Sequence, residues 1–271
     1  MDNRGASGTV ERLQMLNKTR IEWVRNQDGS QGYSINPIKG LCPVACKDNQ
    51  GYEYCFARRM YKRFKWNSEI RFEPTVFIGL PKNPSRIFVG STFELFGDWV
   101  KPEWMERIFR YVKLFPRHTF IFLTKCPQNL IKWSPFPENC WIGVSTTNLK
   151  QYREACIGLS VIQAKVKFLS IEPLLEHIPM QPTYEPAFDF CNWVIIGQQT
   201  PIKKSTMPEI EWIQEIVRAC DKTGIPVFLK DNLKSILPIA NPFYRQYGVP
   251  MYEIILRQEF SDEKNAIKTS K

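Results

Sequence analysis

Thr119-Phe120-Ile121-Phe122-Leu123-Thr124-Lys125 is a short run of β-branched and aromatic residues that closes on a hydroxyl and an ammonium. The run is too short for a buried helix and carries no polar residue in its interior. It predicts a strand covered on both faces, as in a parallel sheet, with Thr124 and Lys125 emerging at its carboxyl end. Five more runs have the same form: Ile87-Phe88-Val89, Trp141-Ile142-Gly143-Val144, Val166-Lys167-Phe168-Leu169, Trp193-Val194-Ile195-Ile196 and Pro226-Val227-Phe228-Leu229. A first strand is expected within residues 32–38.

Amphipathic segments lie between these runs. Residues 102–115 open on Pro102 and carry Trp104, Ile108 and Val112 at helical spacing. Residues 148–159 open on Asn148, a capping residue. Residues 208–223 put Ile210, Ile213, Ile216 and Val217 on one stripe, with Gly224 following as a terminator. Residues 54–65 read as a further helix. Alternating strands and helices predict an α/β protein, a partial or full parallel (β/α) barrel of about six to seven strands. The expected layout is an arm over 1–18, the α/β unit over 19–240 and a C-terminal extension over 241–271.

Every strand run ends in polar residues: Gly90, Ser91, Thr92 and Glu94; Thr124 and Lys125; Ser145; Ser170 and Glu172; Gln198 and Gln199; Lys230. Parallel strands of a barrel point their carboxyl ends to one face, and that face hosts the site.

The chain has 271 residues and a net charge of +10. That length buries a core without staples. No run approaches the length of a membrane span, and the N-terminus lacks the apolar region of a secretory signal, so a cytoplasmic protein with no membrane partner is expected. The basic excess concentrates in Arg58-Arg59-Met60-Tyr61-Lys62-Arg63-Phe64-Lys65, where cations and aromatics interleave. Such a segment suits phosphate contact and base stacking, or else forms a solvated helix face.

Five of the eight cysteines, Cys126, Cys140, Cys156, Cys191 and Cys220, are scattered and read as small buried hydrophobes or incidental thiols. The other three, Cys42, Cys46 and Cys55, stand in a C-x3-C-x8-C spacing just before a helix. Three thiolates there can hold three irons of a [4Fe–4S] cluster and leave the fourth open. The rival is a zinc site completed by His118 or His177, although zinc sites favour two close pairs of ligands. Unligated thiols are the third reading.

The segment Asn36-Pro37-Ile38-Lys39-Gly40-Leu41-Cys42-Pro43-Val44-Ala45-Cys46, continued by Tyr54-Cys55-Phe56-Ala57-Arg58-Arg59-Met60-Tyr61, resembles the signature of a family of phage and prokaryotic proteins. That family carries a Cys-x3-Cys-x2-Cys-Tyr-Ala motif and is grouped with the radical S-adenosylmethionine enzymes. The resemblance continues through Ser91-Thr92-Phe93-Glu94-Leu95-Phe96, Phe122-Leu123-Thr124-Lys125 and Trp141-Ile142-Gly143-Val144-Ser145. It extends to Phe168-Leu169-Ser170-Ile171-Glu172-Pro173-Leu174, Trp193-Val194-Ile195-Ile196-Gly197 and Val227-Phe228-Leu229-Lys230. It implies a barrel of the radical S-adenosylmethionine type, a [4Fe–4S] cluster on Cys42, Cys46 and Cys55, and S-adenosylmethionine on its open iron.

In that reading Tyr54 flanks the adenine, and Gly90, Ser91, Thr92 and Glu94 meet the methionine amino group. Thr124, Lys125, Ser145, Ser170, Glu172 and Lys230 line the mouth. An external electron donor is implied, and the substrate is unspecified, with nucleic acid or nucleotide suggested by the charge. The alternative is a nucleic-acid-binding barrel whose metal is a structural clip.

The sequence departs from the motif in three places. About six residues, 48–53, are inserted between the second and third cysteines. Phe56 stands where the family has Tyr. Gly197-Gln198-Gln199-Thr200 replaces Gly-Gly-Glu-Ser, so an acid is lost.

Overall fold

The structure, a computed structural model, describes residues 16–180, 188–237 and 256–261. In chain order its strands are β1 (Asn17–Lys18), β2 (Tyr33–Ile35), β3 (Ile38–Lys39), β4 (Arg71–Phe72) and β5 (Arg86–Val89). There follow β6 (Thr119–Thr124), β7 (Cys140–Thr146), β8 (Val166–Ile171), β9 (Trp193–Ile196) and β10 (Val227–Leu229). The helices are α1 (Phe56–Phe64), α2 (Pro102–Leu114), α3 (Leu149–Ser160) and α4 (Ile210–Thr223).

One eight-stranded sheet runs β1-β2-β5-β6-β7-β8-β9-β10. Its seven strands from β2 to β10 are parallel and follow chain order. β1 adds an antiparallel edge, Asn17 opposite Ser34. Of the arm expected over 1–18, residues 1–15 lie outside the described residues, while Asn17–Lys18 is this edge strand. No pairing joins β10 to β1 or β2 among the described residues, so the sheet is open. β3 and β4 form a separate antiparallel ribbon that flanks α1 in sequence.

The period-two alternation of the strands sorts their side chains onto two faces. Ile142 and Val144 of β7, Phe120 and Phe122 of β6, and Leu169 and Ile171 of β8 pack with Ile108 and Val112 of α2, Leu159 of α3, and Ile213 and Ile216 of α4. Among the described residues, no α-helix contributes to the cluster on the opposite face. It is filled by Phe88, Ile121, Trp141, Phe168, Trp193 and Phe228, with Trp23 laid across them.

Trp23 touches Phe88 on β5 at 5.0 Å and Phe168 on β8 at 5.9 Å, ring centre to ring centre. Three strand spacings on a flat sheet would separate β5 from β8 by about 14 Å. One indole thus bridges rings carried by strands three positions apart in the sheet.

The cap signals fall where they are expected. Asn148 accepts from the amide of Gln151 at the start of α3, and Gly224 ends α4 in the left-handed conformation at φ 70°. From the expected C-terminal extension, residues 256–261 return to β10. Gln258 bridges to Phe228, the amide of Leu229 donates to the carbonyl of Arg257 at 2.6 Å, and Phe260 packs on Trp193. The rest of 241–271 lies outside the described residues. No helix among the described residues is long and apolar enough to cross a membrane.

Candidate functional site

Seven parallel strands set their carboxyl ends along one rim of the sheet, and the loops leaving them meet around a cavity of about 320 Å³. Small-molecule sites are commonly of this size and place. Its walls contain Cys42, Cys46, Tyr54 and Cys55 from the loop before α1, and Gly90, Ser91, Thr92 and Glu94 after β5. Thr124 and Lys125 stand at the end of β6, Ser145 in β7, Ser170 and Glu172 at the end of β8, and Lys230 after β10. All fourteen residues expected at a site are thus brought to one cavity.

Residues 48–53 do not push the second and third cysteines apart. They fold as a short hairpin closed by a bridge between Lys47 and Glu53. Asp48 is its pivot: its Oδ1 accepts the amides of Gln50 and Tyr52, and its own amide donates to the carbonyl of Tyr52. Gly51 turns the chain at φ 83°, where a side chain would be strained. Lys203 pairs with Asp48 at 3.4 Å and lies over the ring of Tyr52. Asn49 Nδ2 donates to the carbonyl of Leu175. The hairpin is therefore anchored over the loops that leave β8 and β9.

The thiols face one another across this closure. Cys55 is pulled down to about 6, first by its hydrogen bond with Cys46, against burial, and then by the amides of Arg58 and Ala57 and the nearby Arg58 charge. Cys46 is pushed up, first by that same bond and then by burial. Burial also raises Cys42. A metal binds the thiolate form, so an incoming metal would displace protons from these groups. Arg58 of α1 holds the loop in place by donating to the carbonyl of Cys42 at 2.8 Å.

As the side chains stand, no group of three His, Cys, Asp or Glu among the described residues is set to hold a metal ion. The histidines proposed for a zinc site are committed elsewhere. His118 is buried ahead of β6 and accepts the amide of Ser85 on Nδ1, and His177 bonds Glu215 of α4 at 2.6 Å. The mixed Cys3His site considered from sequence is not assembled, because each ring is held by another element. The scattered Cys126, Cys140, Cys191 and Cys220 are buried, and all eight cysteines are free thiols.

The polar residues of the cavity divide by their bonds. Glu94 is buried, and its carboxylate accepts from the amide of Phe96, the hydroxyl of Thr124 at 2.6 Å and the amide of Lys125 at 2.7 Å. It ties the loop after β5 to the end of β6, a role the sequence reading did not assign to it. Ser91 bonds Ser34, and Asn36 accepts from the amide of Thr92. Lys125 Nζ donates to Ser145 at 2.6 Å, and Lys230 Nζ pairs with Glu172. Gly197 leaves room for that pair, since a Cβ there would stand 3.0 Å from Lys230 and 3.1 Å from Glu172.

Two glutamines complete the rim. Gln198 bonds the carbonyl of Asn232 and the hydroxyl of Ser235, linking β9 to β10. Gln199 is 2% exposed, lines the cavity and leaves its Oε1 without a partner. Its position after a strand end was the signal that could have found it.

The fold and the site define an α/β protein with a thiol-lined polar cavity at the carboxyl ends of a parallel sheet. Residues 18–235 match the family model described as a protein of unknown function, DUF5131, and the chain belongs to that family. No curated protein and no solved structure matches it.

Proposed function

We propose that this chain is a radical S-adenosylmethionine enzyme, with a [4Fe–4S] cluster on Cys42, Cys46 and Cys55 and S-adenosylmethionine in the adjoining cavity. The observation that carries the reading is the convergence of those three thiols and Tyr54 with ten residues from five strand ends on one cavity. A cluster takes one thiolate per iron, so three sulfurs distributed along a cavity wall suit it better than they suit a single ion.

Held by Cys42, Cys46 and Cys55, such a cluster would supply one-electron reductive cleavage of the sulfonium. The remaining work falls to side chains of this chain. Tyr54 and Phe56 offer rings beside the thiols. Burial pushes the phenol of Tyr54 up, so it stays a neutral donor. Lys125, anchored by Ser145, presents a cation to a carboxylate, and the Lys230–Glu172 pair presents both signs to ribose or carboxylate groups. Gln199 Oε1 waits for a donor. Ser145 and Ser170 line the same cavity as these groups. An external donor of one electron would be required.

The test is anaerobic reconstitution with iron and sulfide, then reduction in the presence of S-adenosylmethionine. The expected outcome is a brown protein with three to four irons per chain that releases 5′-deoxyadenosine. Cys55→Ala should abolish both colour and release. A colourless protein carrying stoichiometric zinc would sink the proposal.

A further inference from the structure

A second cavity, of about 420 Å³, opens beside the first and differs from it in chemistry. Lys39, Tyr61, Trp66, Asn67 and Arg71 line it, and Thr92 belongs to both cavities. Asn36 also lines it and holds the shared loop through the hydroxyl of Ser91 and the amide of Thr92.

Aromatic rings lead from this cavity onto the surface. Trp66 meets Tyr61 edge-on at 5.3 Å and stacks on Phe64 at 5.6 Å with 21° between planes. Arg63 lies over the other end of the row, 5.3 Å from the Phe64 centroid. Trp66 is 47% exposed and Phe64 49%, so both keep a large face in water. Lys65 directs the chain into this arrangement. It ends α1 at φ 50°, a conformation that costs a non-glycine residue energy, and the amide of Trp66 bonds back to the carbonyl of Tyr61.

The charge of α1 runs along the same row. The helix has four cations and no acid. Arg58 and Arg59 are tied to the carbonyls of Cys42 and Thr200. Lys62, Arg63 and Lys65 have no acidic partner among the described residues. Exposed aromatic faces interleaved with unpaired cations bind unpaired bases by stacking and the backbone by charge. A duplex hides its base faces, so this row favours a single strand. A mononucleotide would fill the cavity and leave the outer cations unused, so it favours a polymer.

We propose that single-stranded nucleic acid is the substrate class, one base entering the cavity beside Trp66 and the backbone following Lys62, Arg63 and Lys65. Thr92 is where that strand meets the cysteine cavity. The role as substrate rests on the radical chemistry proposed above; the binding itself does not.

Fluorescence anisotropy tests this on the cluster-free full chain, using labelled oligonucleotides of about 20 nucleotides as single-stranded DNA, single-stranded RNA and duplex. Single strands are expected to bind at least about tenfold more tightly than duplex, and the two single-stranded arms identify the sugar. Trp66→Ala should weaken binding about tenfold with the folded-state circular dichroism unchanged. Changing Lys62, Arg63 and Lys65 together to Ala should reduce the slope of log affinity against log salt by about two. Equal affinity for duplex, no binding, or wild-type behaviour of both variants would overturn the proposal. Binding without any 5′-deoxyadenosine release would leave this surface standing and remove the chemistry. Release without binding would do the reverse.

Discussion

The amide of Tyr54 donates to the carbonyl of Cys46 at 3.1 Å. That bond spans the hairpin of residues 48–53 and returns the third cysteine to the second, so an eight-residue interval in sequence becomes a short one in space. Closing a loop a few residues longer costs little entropy, and the internal bonds of Asp48 offset it. Asp48→Ala should leave the amides of Gln50 and Tyr52 without an acceptor. The expected loss is about 1–3 kcal/mol, read by urea denaturation, with iron content after reconstitution falling in parallel.

Glu94 should behave as a structural tie rather than a ligand contact. Glu94→Ala removes one acceptor from two amides and a hydroxyl, all near the buried end of β6. A destabilisation of about 3 kcal/mol is expected, with Glu94→Gln recovering most of it because an acceptor oxygen remains. Thermal unfolding of the two variants checks the order.

The aromatic face of the sheet should be intolerant of added volume at Gly143. A Cβ there would stand 2.2 Å from the ring of Phe168, which is itself packed on Trp23 and Trp193. Gly143→Ala should cost about 1–3 kcal/mol, and Phe168→Leu in the same chain should restore part of it. Equilibrium unfolding of the single and double variants decides this.

Acid should loosen the loop after β8 from α4. Glu215 accepts from His177 and from the amide of Met180 at 2.8 Å. Burial acts to raise its carboxyl, but these bonds and the charges of His177 and Arg218 outweigh it and hold the carboxyl below its usual 4.5. A group depressed on folding contributes stability that is complete above its unfolded value and lost as pH falls through its folded value. The melting temperature of the wild type should therefore fall below about pH 4.5 more steeply than that of Glu215→Gln.

Much of the fold was legible because local pattern and tertiary environment agree here. Runs such as Thr119-Phe120-Ile121-Phe122-Leu123 are apolar on both faces, and both faces are in fact covered, one by helices and one by the aromatic cluster around Trp23. Asn148 and Gly224 act through bonds within a few residues, so their spacing alone announced them. The edge strand Asn17–Lys18 was not legible, since two polar residues form a strand only because β2 offers a free edge. The basic aromatic run at 58–65 was visible as composition, but the stacking of Phe64 on Trp66 depends on the turn at Lys65.

By itself the sequence determined the order of strands and helices, the polar residues at each strand end and the presence of three neighbouring thiols. These follow from periodicity and from chemistry carried by adjacent residues. The tertiary structure alone decided that the strand ends share one cavity, that Glu94 is used up in bonding and that Gln199 is left unpartnered. It alone decided that the histidines lie elsewhere and that the hairpin of residues 48–53 keeps Cys46 beside Cys55. Those outcomes depend on which distant groups compete for each donor and acceptor, and that competition exists only once the chain is folded.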